Sequence, residues 1–127
     1  MRHTRHYTVE QANATLAWAG SRIQRLRDAR LTLRSLGGDA SKHLEALDPQ
    51  TGGAYPTREL AAPLVSFSLA LSELEALDIV VRDVDRGLID FPALRDGDEV
   101  YLCWVFGEPE VAFWHGLDAG FAGRQPL

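Results

Sequence analysis

Cysteine is nearly missing from this chain: Cys103 stands alone among 127 residues, which excludes an internal disulfide and any C-x-x-C redox or zinc motif. Long apolar runs are lacking too. No stretch approaches the roughly 18 apolar residues of a membrane span, and none of the membrane class is expected. The opening Met1-Arg2-His3-Thr4-Arg5-His6 has no apolar core of a secretion signal, so a reducing cytoplasm is the expected location. There is no G-x-x-x-x-G-K-[ST] run and no nucleotide-type glycine loop between strand and helix. No serine occupies a recognisable nucleophile turn, which leaves Ser-His-Asp catalysis unsupported.

What is present fits one soluble globular domain, 1–127. The length suffices for a real core, and the 46% hydrophobic and 24% charged fractions are ordinary for that class. The net charge of −5 is unevenly spread. Residues 1–36 carry seven arginines against Glu10 and Asp28, a sum of +5, while the remainder sums to −10. Arg22, Arg25, Arg27, Arg30 and Arg34 could form a nucleic-acid footprint. The stronger expectation is a solvated helix face paired with the acidic second half. An acidic chain with no aromatics among those arginines is a poor nucleic-acid binder.

A first helix is predicted over about 8–36. Thr8 and Gln11 have the T-x-x-Q form of a capping box, in which each side chain satisfies the other's free amide. Val9, Ala12, Leu16, Ala19, Ile23, Leu26 and Leu33 then recur at spacings of three and four, interrupted by Arg30. Gly37-Gly38 ends the pattern. Residues 37–56 form a connection punctuated by two Gly-Gly pairs, Pro49 and Pro56. A second helix is predicted over about 57–78, with Leu60, Leu64, Phe67, Leu71 and Leu74 as its stripe. Pro63 suits only a first turn, which would move the regular helix towards Ala61. Val65, Leu69 and Leu77 widen the stripe beyond one neighbour's needs, and that surplus is expected both to cover the C-terminal sheet and to make a homodimer interface through the helices.

Over 79–115 the period becomes alternating. Ile79–Val84 and Leu88–Phe91 are short strands, and Asp96-Gly97-Asp98 is a turn. Glu99–Phe106 and Val111–His115 read as a hairpin around Gly107–Glu110. With a two- or four-residue loop, Phe106 faces Val111, Trp104 faces Phe113 and Leu102 faces His115. Val100, Leu102, Trp104, Phe106, Val111, Phe113 and His115 then share one side of the sheet. Tyr101, Cys103, Val105, Ala112 and Trp114 share the other. An odd loop would reverse the second strand. The tail, 116–127, is rich in glycine, and Phe121 is its expected anchor. The fold class expected is α+β, a long antiparallel helical hairpin packed on a small, mostly antiparallel sheet.

Tyr7-Thr8-Val9-Glu10-Gln11-Ala12-Asn13, Arg86-Gly87, Asp90-Phe91-Pro92-Ala93, Tyr101-Leu102-Cys103-Trp104, Phe113-Trp114-His115 and Gly120-Phe121-Ala122-Gly123-Arg124 carry a resemblance. The chain resembles a bacterial domain-of-unknown-function family, number 2203. The likeness spans nearly the whole chain, is most specific in the last 40 residues, and is weakest over 37–64. It implies a bacterial cytoplasmic protein and brings no mechanism.

The candidate binding residues are Asp90, Tyr101, Trp114, His115, Asp118 and Arg124. Asp118 stands three residues beyond His115 and could orient its imidazole; Arg124 could offer its planar fork to an anion. Asp90 and Tyr101 could complete a pocket. No metal site is predicted, because His115 with Asp118 supplies only two ligands. His3 and His6 are expected to lie in a disordered terminus. Cys103, mid-strand among aromatics, is expected to be inert, and no cofactor is indicated. Three readings follow. The first is a dimeric interaction or small-ligand-binding module. The second is a small enzyme or anion/metal site at His115, Asp118 and Arg124. The weakest is nucleic-acid binding through the first helix.

Overall fold

The computed structural model describes residues 1–36 and 58–127. The connection at 37–56, the Gly37-Gly38 stop and Thr57 lie outside the described residues.

Helix α1 runs Val9–Ser35, and both halves of the Thr8/Gln11 capping box form. Its buried face is Ala12, Ala19, Ile23, Leu26 and Ala29. Ala29 therefore carries the seam through the point where Arg30 seemed to break it. Arg30 turns outward to Asp85 at 3.1 Å, joined by Arg34 at 2.8 Å, and Arg22 meets Glu73 at 2.7 Å. The basic helix face is thus paired in part with the acidic second half.

Helix α2 spans Arg58–Ala76 with Pro63 inside it, so the helix starts near the expected 57 rather than being shifted towards Ala61. Leu60, Ala70 and Leu74 are buried against α1, while Phe67, Leu71 and Leu77 pack around them. Alanines at the seam (Ala12, Ala19, Ala29, Ala70) let the two helix backbones approach closely. Among the described residues, no helix is long and apolar enough to cross a membrane.

Five antiparallel strands follow as a meander in chain order: β1 Val80–Asp83, β2 Leu88–Arg95, β3 Asp98–Val105, β4 Phe113–Gly116 and β5 Gln125–Pro126. A tight turn joins β2 to β3. Asp96 and Gly97 both take positive φ (51° and 85°), the mirror-image turn whose twist matches that of a hairpin. It pairs Arg95 with Asp98 and so sets the whole β2–β3 register.

Ile89, Phe91 and Ala93 of β2, with Val100, Leu102 and Trp104 of β3, face the helices and form the core with Ile23, Leu26 and Leu74. At the corner before β2, Gly87 has φ +67°, and a Cβ there would overlap Phe106 Cβ and press on Ile23. Only glycine fits that approach.

The β3–β4 register differs from the even-loop expectation. The connection covers 106–112, an odd number, and pairs Tyr101 with His115, Leu102 with Trp114 and Cys103 with Phe113. Glu108 secures it: its Oε1 accepts from the Val105 amide at 2.7 Å, and its carbonyl accepts from Trp104 Nε1 at 3.0 Å. Trp114 is thereby turned to the helix side, and Phe113 and His115 to the outer side. The tail is more regular than its glycines suggest. A 3-10 turn at Phe121–Gly123 leads into β5, which pairs with β4.

The N-terminus is ordered, contrary to expectation. The Tyr7 amide donates to the Pro92 carbonyl at 2.7 Å and the Tyr7 hydroxyl to the Leu77 carbonyl at 2.7 Å, which ties the segment across the end of the sheet.

Candidate functional site on the outer face of the sheet

Strand alternation delivers the site. The two-residue turn places Asp90 opposite Cys103 and Pro92 opposite Tyr101, and the odd connection brings His115 opposite Tyr101. Asp90, Tyr101, Cys103 and His115 therefore stand together on the face turned away from the helices.

Asp90 and His115 are each only 1% exposed. His115 Nε2 lies 2.9 Å from Asp90 Oδ1, and Arg82 Nε donates to Asp90 Oδ2 at 2.9 Å. His115 Nδ1 is 2.8 Å from the Gly116 carbonyl, which can only accept. Nδ1 must therefore carry hydrogen, and the Nε2–Oδ1 contact must hold one further proton between its two atoms. A chain Arg82–Asp90–His115–Gly116 results, with every buried polar atom served.

Tyr101 forms the wall beside it. Its ring stands 5.5 Å from the His115 ring and 4.8 Å from the Arg82 guanidinium. Its hydroxyl is 2.7 Å from His3 Nε2. Glu99 fastens the terminal segment above: it accepts from the Arg2 amide at 2.7 Å, the His3 amide at 3.1 Å and the His6 ring at 2.7 Å. The His6 bond, followed by the Arg2 and His3 amides, pulls the Glu99 carboxyl down to about 2 against an opposing desolvation.

Cys103 is fully buried. Burial first, and then the Asp90 charge, pushes its thiol up to about 12, with Arg124 opposing. Without a partner able to displace the proton it is no nucleophile. Among the described residues, Asp90, Cys103 and His115 each offer one ligand atom, all within 4.8 Å of one another.

The expected site residues divide. Asp90, Tyr101 and His115 are brought together. Arg124 shares their face farther along, bonded to Glu108, with its guanidinium 3.9 Å over the Phe113 ring and 5.1 Å from Phe121. Asp118 is not beside His115. Its side chain is 93% exposed and reaches Arg2 at 3.5 Å, so the orienting carboxylate is Asp90. Trp114 lies on the helix face, under the Arg95 guanidinium at 4.4 Å. Arg82, Glu99 and His3 were missed. The Asp96-Gly97 turn alone sets Asp90 opposite Cys103, and that signal was open to a reading of the strands.

A family model described as Uncharacterized conserved protein (DUF2203) matches residues 5–127. The chain belongs to the DUF2203 family. Among the described residues, the match takes in α1, α2, β1 to β5 and the outer-face cluster, leaving out Arg2 and His3. No match was found among curated proteins or among solved structures.

Proposed function

We propose that this protein is a binding module that works as a homodimer, with α2 as the self-association face and the outer face of the sheet as the ligand site. One observation carries the association. Leu64, Val65 and Leu69 are 46%, 59% and 56% exposed along α2, and Val65 and Leu69 line a shallow hollow with Arg25 of α1. Residues 61–72 contain no charged side chain, and serines 66, 68 and 72 border the apolar row. The same patch on a second copy can meet it in a two-fold contact, with the Arg25 side chain of α1 at its edge. Full burial of such a side chain contributes about 1.5–3 kcal/mol; these are already about half-buried, so each adds roughly half of that, and two-fold symmetry counts each twice. That total is on the order of the roughly 4–15 kcal/mol that association costs, so the dimer is reversible rather than obligate. Sedimentation equilibrium tests this. The wild-type chain is expected to show twice the monomer mass at high micromolar concentration, and Leu69→Arg the monomer mass. A wild-type monomer at that concentration would remove the reading.

A second reading is a small enzyme or anion site around His115. It is favoured by a histidine oriented by a buried carboxylate beside Tyr101, with Arg124 on the same face. Inorganic phosphate is the probe, followed through the His115 ring signals by NMR; signals that stay put count against it. A bacterial cytoplasmic setting accompanies both readings, on the strength of the family and the single buried thiol.

A further inference from the structure

Packing does not explain why a carboxylate, a thiol and an imidazole from three adjacent strands meet in one buried spot. The outer face of β2, β3 and β4 supplies Asp90, Cys103 and His115 at successive strands. We propose that these residues bind a divalent cation of the zinc class as its three protein ligands. The inference rests on the outer-face ligand site and is independent of association through α2.

Three features of the geometry carry it. The ligand types come first: an imidazole nitrogen, a thiolate sulfur and a carboxylate oxygen together suit zinc-like ions and not magnesium or calcium, which take oxygen shells. The spacing is next. Bonds of about 2.0–2.3 Å in a tetrahedron put ligand atoms roughly 3.3–3.8 Å apart. Here the nearest pair is at 2.9 Å and all three atoms lie within 4.8 Å. Opening the first and drawing in the sulfur needs shifts of up to about 1–1.5 Å, within reach of a χ1 adjustment of Cys103.

The surrounding shell is the third feature. The Gly116 carbonyl holds hydrogen on Nδ1, which reserves the Nε2 lone pair for a metal, and Arg82 holds Oδ2 so that Oδ1 points at the same place. Carbonyl and side-chain partners of this kind orient ligands in metal sites.

The charge also balances. Before binding, Arg82 contributes one positive charge, and Asp90 with His115 shares one proton and is neutral as a pair. A divalent ion displaces that proton and the thiol proton, and both leave to water. The cluster then holds two positive charges on the ion, one negative charge each on Asp90 and Cys103, and the positive Arg82. Its net charge is unchanged, so the buried site takes up the ion without acquiring an uncompensated charge.

Cobalt(II) titration of the full-length, chelator-treated protein is the test. One cobalt per chain is expected, with a thiolate-to-cobalt charge-transfer absorption in the near ultraviolet and visible bands of four-coordinate intensity. Because the chain has one cysteine, that absorption reports Cys103 even if no variant folds. Cys103→Ala should abolish it, Asp90→Asn should weaken binding, and Arg82→Gln should weaken it about 10–100-fold through the lost support of Asp90. Wild-type protein without the charge-transfer absorption, an absorption that survives Cys103→Ala, or two chains per cobalt would each overturn the proposal. If cobalt gives no such signal but inorganic phosphate still moves the His115 ring signals, the metal is lost and the outer-face ligand site stands.

Discussion

Asp90 and Cys103 are cross-strand partners, and they meet because Arg95 pairs with Asp98 across a two-residue turn. A local backbone choice at Asp96-Gly97 therefore decides what lies next to what, several residues away. Gly97 has φ +85° with open space around it, so a methyl group there meets strain and no clash. Gly97→Ala should lower stability by about 1–2 kcal/mol, the usual penalty for a left-handed L-residue. The check is a lower urea midpoint at unchanged slope.

The Arg82–Asp90–His115 chain should be expensive to break. Asp90→Ala leaves a buried imidazole without its acceptor and Arg82 without its carboxylate, and about 3–5 kcal/mol of destabilisation is expected. Asp90→Asn, which still accepts from one side, should cost less. Urea unfolding of both variants ranks them, and equal losses would contradict the bonding described.

Glu99 sets a pH dependence of definite sign. Its folded carboxyl sits near 2, below the 4.5 of the free group, so it stabilises the fold fully above about 4.5. That contribution disappears as pH falls from there through about 2. The urea midpoint should therefore decline across this window in the wild type and less steeply in Glu99→Gln. The same variant should expose Arg2 and Arg5 to trypsin sooner, since Glu99 binds the amides of Arg2 and His3.

The two sides of α2 should respond differently to alanine. Leu74 is fully buried, and Leu74→Ala should cost about 2–5 kcal/mol. Leu69 is more than half exposed, and Leu69→Ala should change the unfolding of the dilute protein by no more than about 0.5 kcal/mol. Thermal unfolding at low concentration separates the two.

Much of the fold was legible where the signal is local. The Thr8/Gln11 box, the spacing of threes and fours along α1 and the Asp-Gly turn each act within a few residues, and each formed. The register of β4 was not legible, because it depends on the parity of a connection whose length is set by Glu108 bonding back to Val105. That slip hid the site, since an even loop sends His115 to the helix side and away from Asp90. Asp118 looked the better partner for His115 because it is near in sequence, whereas Asp90 is near only in space. β5 went unseen because two residues paired to β4 leave no periodic trace.

The order of the strands has a consequence for how the protein is made. Each strand pairs with its neighbour in sequence, so the sheet can zip up hairpin by hairpin as the chain emerges from the ribosome. The segment at Arg2–His6 cannot join it then, because its partners Glu99 and Tyr101 are synthesised almost a whole chain length later. The Arg2–His6 segment is thus among the last parts of this fold to find its place. Until it does, the Glu99 carboxylate and the Tyr101 hydroxyl on the outer face go without the amides and imidazoles that bind them in the finished fold.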